Sequence, residues 1–138
     1  MKTTTQIFLA EDDPDDAYIF KLAFEKTYPS CQITVYNNGD DLLEAIQTNL
    51  TLPTYIFLDI AMPEMDGLST LKKLKEGVQT ARIPTFVLSG LNDRANIRKS
   101  YQLGANAYFV KPKTFSEHLD LAQTFNSYWT KVIHSSTI

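Results

Sequence analysis

Short apolar runs alternate with longer segments of helical periodicity, and this alternation constrains the fold more than any other feature of the chain. Five runs of four residues are apolar or β-branched enough to form buried strands: Ile7–Ala10, Ile33–Tyr36, Tyr55–Leu58, Thr85–Leu88 and Ala107–Val110. Strands that alternate with helices favour a parallel sheet whose crossover connections are right-handed. The sequence therefore predicts an α/β fold, in which a doubly wound five-stranded parallel sheet is flanked by five helices.

The segments between these runs repeat apolar residues every three to four positions, as one buried face of a helix requires. The predicted helices cover residues 15–27, 40 or 41 to 50, 67–76, 92 or 93 to 103, and 114 to about 133. Gly104 is a typical helix terminator, and Thr114 with Glu117 has the form of a capping box. The expected buried stripe of the last helix is Phe115, Leu119, Ala122, Phe125, Trp129 and Val132 or Ile133.

Size and composition favour one ordinary globular domain. The 138 residues fit a single domain over 1–138 with no output domain. Cys31 is the only cysteine, which excludes a disulfide within the chain and favours a reducing, cytoplasmic location. The net charge of −3 is not the basic footprint of a nucleic-acid-binding protein, and no apolar run is long enough to predict a membrane span.

Polar residues follow four of the five predicted strands at the point where each strand ends. Glu11, Asp12 and Asp13 follow the first strand and Asp59 the third, while Ser89 follows the fourth and Lys111 the fifth. In doubly wound sheets the ligand crevice lies beyond the carboxyl ends of the strands. We therefore expect these side chains to meet at one edge of the sheet.

Several carboxylates in one crevice repel each other, so either their pKa values rise or a cation binds between them. Oxygen ligands favour Mg²⁺ or Ca²⁺ over zinc. We expect Asp12 and Asp59 to bind Mg²⁺ directly, Glu11 to act through water, and the Ala61 backbone carbonyl to reach the ion. Asp13 is expected to point out of the site.

A carboxylate beside Mg²⁺ can attack a phosphoryl group and form an aspartyl-phosphate. Phosphoryl transfer needs positioning and charge neutralisation, which Lys111 and the Ser89 hydroxyl could supply beside Asp59. Each residue has a simpler interpretation: the acidic run could be an exposed cap, Ser89 a turn residue and Lys111 a solvated charge. Their common position at strand ends favours the functional interpretation.

These residues resemble the response-regulator receiver family, also called CheY-like, over essentially the whole chain. Four stretches carry the resemblance: FLAEDD at 8–13, LDIAMPEMDG at 58–67, VLSG at 87–90 and YFVKP at 108–112. The second stretch is the most specific, because a strand-ending Asp is followed by Met-Pro and then by Met-Asp-Gly at the start of a helix. The resemblance implies a flavodoxin-like sheet of strand order 2-1-3-4-5.

The resemblance also implies a role for each site residue. Asp59 would be the phosphorylation site, and Mg²⁺ would bind Glu11, Asp12, Asp59 and the Ala61 carbonyl. Ser89 would be the switch hydroxyl, Lys111 the phosphoryl-contacting lysine, and Tyr108 the switch aromatic that follows Ser89. The Lys111–Pro112 bond would be cis.

The implied function is that of a two-component response regulator. A histidine kinase would supply the phosphoryl group, and the surface of the fourth helix, fifth strand and fifth helix would change for an unknown downstream partner. The EDDPDD segment at 11–16 and the tail near Tyr128 and Trp129 are similar to regulators paired with phytochrome-type and hybrid kinases. Some of those regulators dimerise through that surface, so either a monomer or a homodimer is expected.

Other functions remain open at this stage. The domain could be a phosphate sink or relay intermediate. An aspartate-nucleophile phosphatase would carry a second acid two residues after the nucleophile, where Ala61 stands here. We therefore expect a signalling domain that catalyses only its own phosphorylation and dephosphorylation. His118 and His134 are expected to be solvated and to take no part in a relay.

Overall fold

The structure is a computed structural model that describes residues 4–48, 52–61, 67–129 and 131. It contains five strands, five α-helices and one 3₁₀ turn in this part of the chain. Their order is β1 Thr5–Ala10, α1 Pro14–Thr27, β2 Cys31–Tyr36, α2 Gly39–Thr48, β3 Tyr55–Leu58, α3 Gly67–Glu76, the 3₁₀ turn Thr80–Arg82, β4 Thr85–Ser89, α4 Arg94–Gln102, β5 Ala107–Val110 and α5 Phe115–Trp129.

All neighbouring strands are parallel, and their order across the sheet is β2-β1-β3-β4-β5. The sequence-based prediction of the fold and of the strand order is confirmed. Strand order reverses between β1 and β3, which places a crevice beyond the carboxyl ends of these two strands. β3 lies between β1 and β4 and is buried along its whole length, which explains its uninterrupted apolar sequence.

The two faces of the sheet bury side chains of different character, because successive residues of a strand point to opposite sides. In β1, Phe8 and Ala10 point to one face and Ile7 and Leu9 to the other. The aliphatic face packs against α2 and α3 and includes Leu42, Ile46, Ile56, Leu58, Leu68, Leu71, Leu74 and Val87. The aromatic face packs against α1 and α5 and includes Phe20, Phe24, Tyr55, Phe57, Phe86 and Phe125.

The helix ends follow the signals in the sequence. Asp93 caps α4 by accepting a hydrogen bond from the amide of Asn96 (3.2 Å), and Gly104 follows that helix with φ of 104°. Thr114 Oγ1 accepts from the amide of Glu117 (3.1 Å), as the capping box predicts.

The buried side of α5 differs from the predicted stripe. Phe115 is exposed, whereas Ala122, Phe125 and His118 are buried. The first turn of the helix therefore presents His118 to the interior in place of Phe115. The expectation that His118 is solvated is wrong, since only 4% of its surface is exposed. Four residues of the sequence-based predictions lie outside the described residues: Leu50 of the second predicted helix, Val132 and Ile133 of the last one, and His134.

Cys31 serves packing in the aromatic face. Its Sγ donates to the carbonyl of Phe24 (3.6 Å), and burial raises the pKa of the thiol to about 11. A thiol with so high a pKa carries little of the reactive thiolate at neutral pH. Within the residues that the structure describes, no helix is long and apolar enough to cross a membrane.

Candidate functional site

The backbone of the sheet fixes the position of three residues at the edge of the crevice. Each of them is the first residue after its strand, and each amide donates to the carbonyl of the last residue of a neighbouring strand. These bonds join Glu11 N to Tyr36 O (2.9 Å), Asp59 N to Ala10 O (3.1 Å) and Lys111 N to Ser89 O (2.8 Å). The hydrogen-bond ladder of the sheet therefore extends one step into the site.

The Lys111 ammonium lies among three carboxylates. Its Nζ is 2.7 Å from Glu11 Oε1, 2.8 Å from Asp16 Oδ2 and 2.9 Å from Asp59 Oδ2. An ammonium has three N–H donors, so one is available for each of these acceptors. Lys111 joins the ends of β1 and β3 to the first turn of α1.

The charges of this cluster perturb one another. Burial raises the pKa of Glu11 to about 7, and repulsion from Asp59 acts in the same direction, while the hydrogen bond from Lys111 opposes both. Burial alone would lower the pKa of Lys111, but hydrogen bonds from Lys111 to Asp16, Glu11 and Asp59 outweigh it and raise the pKa above its ordinary value. Lys111 is therefore a permanent positive charge that counters the buried acids.

Glu11, Asp12 and Asp59 form a group of carboxylates that fits a hard divalent cation. Each offers an oxygen, and these three atoms lie within 4.8 Å of one another. Glu11 and Asp59 are buried and Asp12 is half-buried, so a cation here would be partly enclosed. A donor set of oxygens alone matches the preference of Mg²⁺. Asp59 Oδ1 also accepts from the amide of Ala61 (2.9 Å); the predicted role of the Ala61 carbonyl stays a prediction.

Asp13 does not belong to this group. Its side chain caps α1 by accepting from the amides of Asp15 (2.9 Å) and Asp16 (3.2 Å). Its own amide donates to Glu11 Oε2 (3.2 Å). Asp13 is exposed, as expected of a residue that points out of the site, and it orients the start of α1.

Ser89 and Tyr108 are connected through the backbone of Leu91. Ser89 is fully buried, and its Oγ accepts from the amide of Leu91 (3.1 Å). The hydroxyl of half-buried Tyr108 donates to the carbonyl of the same Leu91, and burial raises the pKa of this phenol. The Tyr108 amide in turn donates to the hydroxyl of Tyr101 in α4 (3.0 Å). A continuous set of contacts thus leads from Ser89 to α4 and β5.

Sequence reasoning missed Asp16 as a member of the site. The sequence shows an acidic pair, Asp15 and Asp16, directly after Pro14, and a proline there favours the first turn of a helix. That signal could have placed both acids near the crevice. It could not have shown that Asp16, and not Asp15, contacts a lysine 95 positions away.

One further expectation, about the loop after β5, needs correction. No peptide bond among the described residues is cis, so the Lys111–Pro112 bond is trans and not cis. His118 lies near this loop. Burial lowers the pKa of its imidazole, and the charge of Lys111 acts in the same direction, while the charge of Asp16 and a hydrogen bond with the backbone of Pro112 oppose them. The ring is buried and its Nδ1 has no hydrogen-bond partner among the described residues.

The most specific sequence motif, Met62 to Asp66, lies outside the described residues.

This fold and this cluster define a class of signalling domain, and the comparison with protein families identifies it. The sequence model of the response regulator receiver domain family matches residues 7–123. The chain belongs to this family of two-component signalling proteins. The sequence-based assignment to the receiver family is confirmed.

Two relatives that the chain covers over most of their length are regulatory proteins by name. The chain is 26% identical over 127 residues to the probable methanogenesis regulatory protein FilR2 of Methanothrix harundinacea, covering 89% of this chain and 82% of that protein. It is 24% identical over 132 residues to response regulator Rcp1 of Synechocystis, covering 92% of this chain and 90% of Rcp1.

Solved structures share the fold. The phosphorylated cyanobacterial phytochrome response regulator RcpA superposes with a TM-score of 0.89 at 24% identity, covering 97% of this chain and 100% of RcpA. The Mn²⁺-bound form of Rcp1 superposes with a TM-score of 0.82 at 22% identity, covering 94% of this chain and 96% of Rcp1.

Proposed function

We propose that Asp59 accepts a phosphoryl group from a histidine kinase and that the domain passes this signal to a downstream protein. The geometry around Asp59 carries the proposal. Its carboxylate lies at the end of a central strand, 2.9 Å from the Lys111 ammonium and within 4.8 Å of the carboxylates of Glu11 and Asp12. An acid, a lysine and a cation-binding group at one point supply the positioning and the charge neutralisation that phosphoryl transfer needs.

In the proposed reaction one oxygen of Asp59 forms a bond to phosphorus, and the bond from phosphorus to the donor breaks. The electron pair of that bond leaves with the donor, which is the phosphohistidine of the kinase. A bound Mg²⁺ would supply charge neutralisation for the phosphoryl oxygens, with Glu11, Asp12 and Asp59 as its side-chain ligands. Lys111 provides a second positive charge at the same place. The protein acts only on its own Asp59 and is a signalling domain, not an enzyme with external substrates.

The signal would travel through Ser89, Leu91 and Tyr108. A phosphoryl group brings close to two negative charges and three acceptor oxygens. The Ser89 hydroxyl would turn to donate to one of these oxygens. Because Leu91 contacts Ser89 through its amide and Tyr108 through its carbonyl, such a movement would shift the loop between β4 and α4. We propose that the surface of α4, β5 and α5 changes in this way for its partner.

The relatives suggest the kind of kinase. RcpA is a phytochrome response regulator, and 97% of this chain superposes on the fold of RcpA. We propose a phytochrome-like or hybrid histidine kinase as the phosphoryl donor, acting in the cytoplasm.

The domain works either as a monomer or as a homodimer through α4, β5 and α5. Light scattering of the phosphorylated protein distinguishes the two.

Incubation with Mg²⁺ and acetyl phosphate tests the central proposal. The intact mass of the wild type should rise by one phosphoryl group, and Asp59→Asn should show no such rise. Asp13→Asn is a matched control, because asparagine also caps helices and Asp13 lies outside the carboxylate group. Equal mass changes in the wild type and in Asp59→Asn would disprove phosphorylation at Asp59.

A further inference from the structure

We propose that Asp16 is a positioning residue for Lys111, holding the ammonium beside the site when a metal ion is bound to Glu11, Asp12 and Asp59. This inference deepens the proposed function and rests on it. It concerns an acid that the sequence did not indicate, in the first turn of a helix that packs on the sheet through Ala17, Phe20, Ala23 and Phe24. Three observations carry it.

The first observation is how Lys111 is held. Its Nζ contacts Glu11 at 2.7 Å, Asp16 at 2.8 Å and Asp59 at 2.9 Å, so the Asp16 contact is as short as the other two. The Lys111 side chain is 16% exposed, and a lysine can leave such a position only by exchanging these carboxylates for water. Asp16 therefore shares in fixing the direction of the side chain.

The second observation is that the three carboxylates differ in what else they can bind. Glu11 and Asp59 belong with Asp12 to the group that fits a divalent cation, and Asp16 does not belong to it. A divalent cation bound to that group would take up the charges of Glu11 and Asp59 and would repel the ammonium. Asp16 is the contact of Lys111 that the cation leaves in place.

The third observation is that Asp16 itself is well fixed. It lies in the first turn of α1, where its amide donates to the capping carboxylate of Asp13 (3.2 Å). The carboxylate of Asp16 is 37% exposed, outside the buried part of the cluster. It can therefore hold the ammonium at the rim of the crevice, where an incoming phosphoryl group would meet it.

The contribution of Asp16 to holding Lys111 should therefore depend on whether a metal ion is bound. Without metal, the loss of Asp16 leaves Glu11 and Asp59 to hold Lys111. With metal, the same loss leaves the ammonium without a fixed partner in the cluster. An acid that only stabilised the start of α1 through the helix dipole would behave alike in both states.

Asp16→Asn and Asp15→Asn make a matched pair for the test. Both remove one acid from the same helical turn, and both keep the capping by Asp13, since its partners are backbone amides. The Lys111 side chain would be followed by NMR through its ε-methylene and ammonium resonances, assigned with Lys111→Arg. Spectra would be taken of each variant with excess chelator and with saturating Mg²⁺.

We expect the Lys111 side chain of Asp16→Asn to stay ordered with chelator, with its two ε-methylene protons resolved as in the wild type, and to give the single averaged signal of a free lysine with Mg²⁺. Asp15→Asn should match the wild type in both states. The inference is overturned if the Lys111 ε-methylene protons of Asp16→Asn stay resolved with Mg²⁺. It is equally overturned if these resonances are already averaged without metal, because Asp16 would then be a general structural contact.

Kinetics of phosphorylation by acetyl phosphate give a second, independent measurement. We expect the maximal rate of Asp16→Asn to fall about fivefold relative to Asp15→Asn, with little change in the half-saturating concentration, because the loss concerns the orientation of a contact to the transferred group. Asp16→Glu should recover most of this rate. An equal rate for the two asparagine variants would contradict the inference, while a wild type that is not phosphorylated would contradict the proposed function instead.

Discussion

Lys111 is the residue on which the charge balance of the metal-free site depends. Its single positive charge offsets part of the charge of two buried acids, Glu11 and Asp59, which would otherwise face each other in a partly desolvated place. A cation that enters the group of Glu11, Asp12 and Asp59 competes with this ammonium. Lysine and metal are therefore expected to oppose each other in binding.

Replacing Lys111 by methionine should tighten Mg²⁺ binding. The ammonium no longer competes, and the gain should be about three- to tenfold in Kd, in line with the ~1 kcal/mol of two unit charges 4 Å apart in water. Isothermal titration of the wild type and Lys111→Met measures it. The same substitution at exposed Lys113 is the control, and weaker Mg²⁺ binding by Lys111→Met would contradict the idea of competition.

His118 should make the stability of the protein depend on pH. Burial lowers the pKa of its imidazole, so the folded state binds the proton less well than the unfolded state. The stability that the neutral ring provides is present above the unfolded pKa of about 6.5 and is lost as pH falls towards the lower folded value. Each unit of pKa depression corresponds to about 1.4 kcal/mol.

The test is urea unfolding of the wild type and His118→Gln at pH 7.5 and pH 5.5. Glutamine does not titrate, so the wild type should lose more unfolding free energy than the variant between these values. The carboxylates that titrate in the same range are common to both proteins and cancel in the difference. If the wild type loses no more unfolding free energy than His118→Gln between pH 7.5 and pH 5.5, protonation of the His118 ring costs little stability and the prediction is wrong.

Asp16 and His118 also mark the limit of what the sequence shows at the scale of residues. Strand-end residues such as Asp59 could be predicted, because the end of an apolar run is visible in the sequence. Asp16 and His118 lie within helices, and their roles depend on how α1 and α5 pack beside the loop after β5. Pro14 indicates that Asp16 lies in the first turn of a helix, but nothing beside Asp16 or His118 shows which side chains they contact.

At the scale of elements, the close approach of α3 to the end of β3 fixes the position of Asp59. A Cβ atom on Gly67 would lie 2.3 Å from the carbonyl oxygen of Asp59 and 2.7 Å from Cα of Ile60. Both are backbone atoms, which cannot turn aside as a flexible side chain can. Only glycine allows the first turn of α3 to lie against the strand end.

Gly67→Ala should therefore damage both stability and function. Overpacking of this kind costs about 1–3 kcal/mol of unfolding free energy. The shift of the backbone at Asp59 should also slow phosphorylation by acetyl phosphate. Gly90→Ala is the control for stability, because nothing lies within 4 Å of a Cβ at that position. Equal unfolding free energies of the two variants would contradict the proposed close packing.

The elements themselves were the most predictable part of the molecule. β3, α3 and β5 have the predicted bounds, since their apolar patterns end at clear polar or glycine signals. β1 and β2 each begin two residues earlier than predicted. Their first residues are polar or single apolar side chains, and they join the sheet through backbone pairing of Thr5 with Cys31, which side-chain patterns do not show.

At the scale of the whole molecule, contacts lead from Ser89 through Leu91 and Tyr108 to β5 and α4. Ser89→Ala removes the acceptor of the Leu91 amide and the donor proposed for the phosphoryl group. Phosphorylation of Asp59 should remain possible, but the response of α4 and β5 should fall to less than half of that in the wild type.

Hydrogen exchange of the amides between Leu91 and Val110, with and without acetyl phosphate, measures that response. Ser100→Ala is the matched control, because Ser100 is also a buried serine but bonds to the Asn96 carbonyl within α4 (2.8 Å). A full wild-type response in phosphorylated Ser89→Ala would exclude Ser89 from the connection.

The backbone bonds of Glu11, Asp59 and Lys111 to the ends of neighbouring strands have a consequence for protein engineering. The spacing of the three backbone positions is set by the register of the parallel strands β1, β3, β4 and β5. Grafting these side chains onto a helical bundle or an antiparallel scaffold would reproduce their chemistry without their spacing. A designer who wishes to transplant this site must transplant the sheet edge with it.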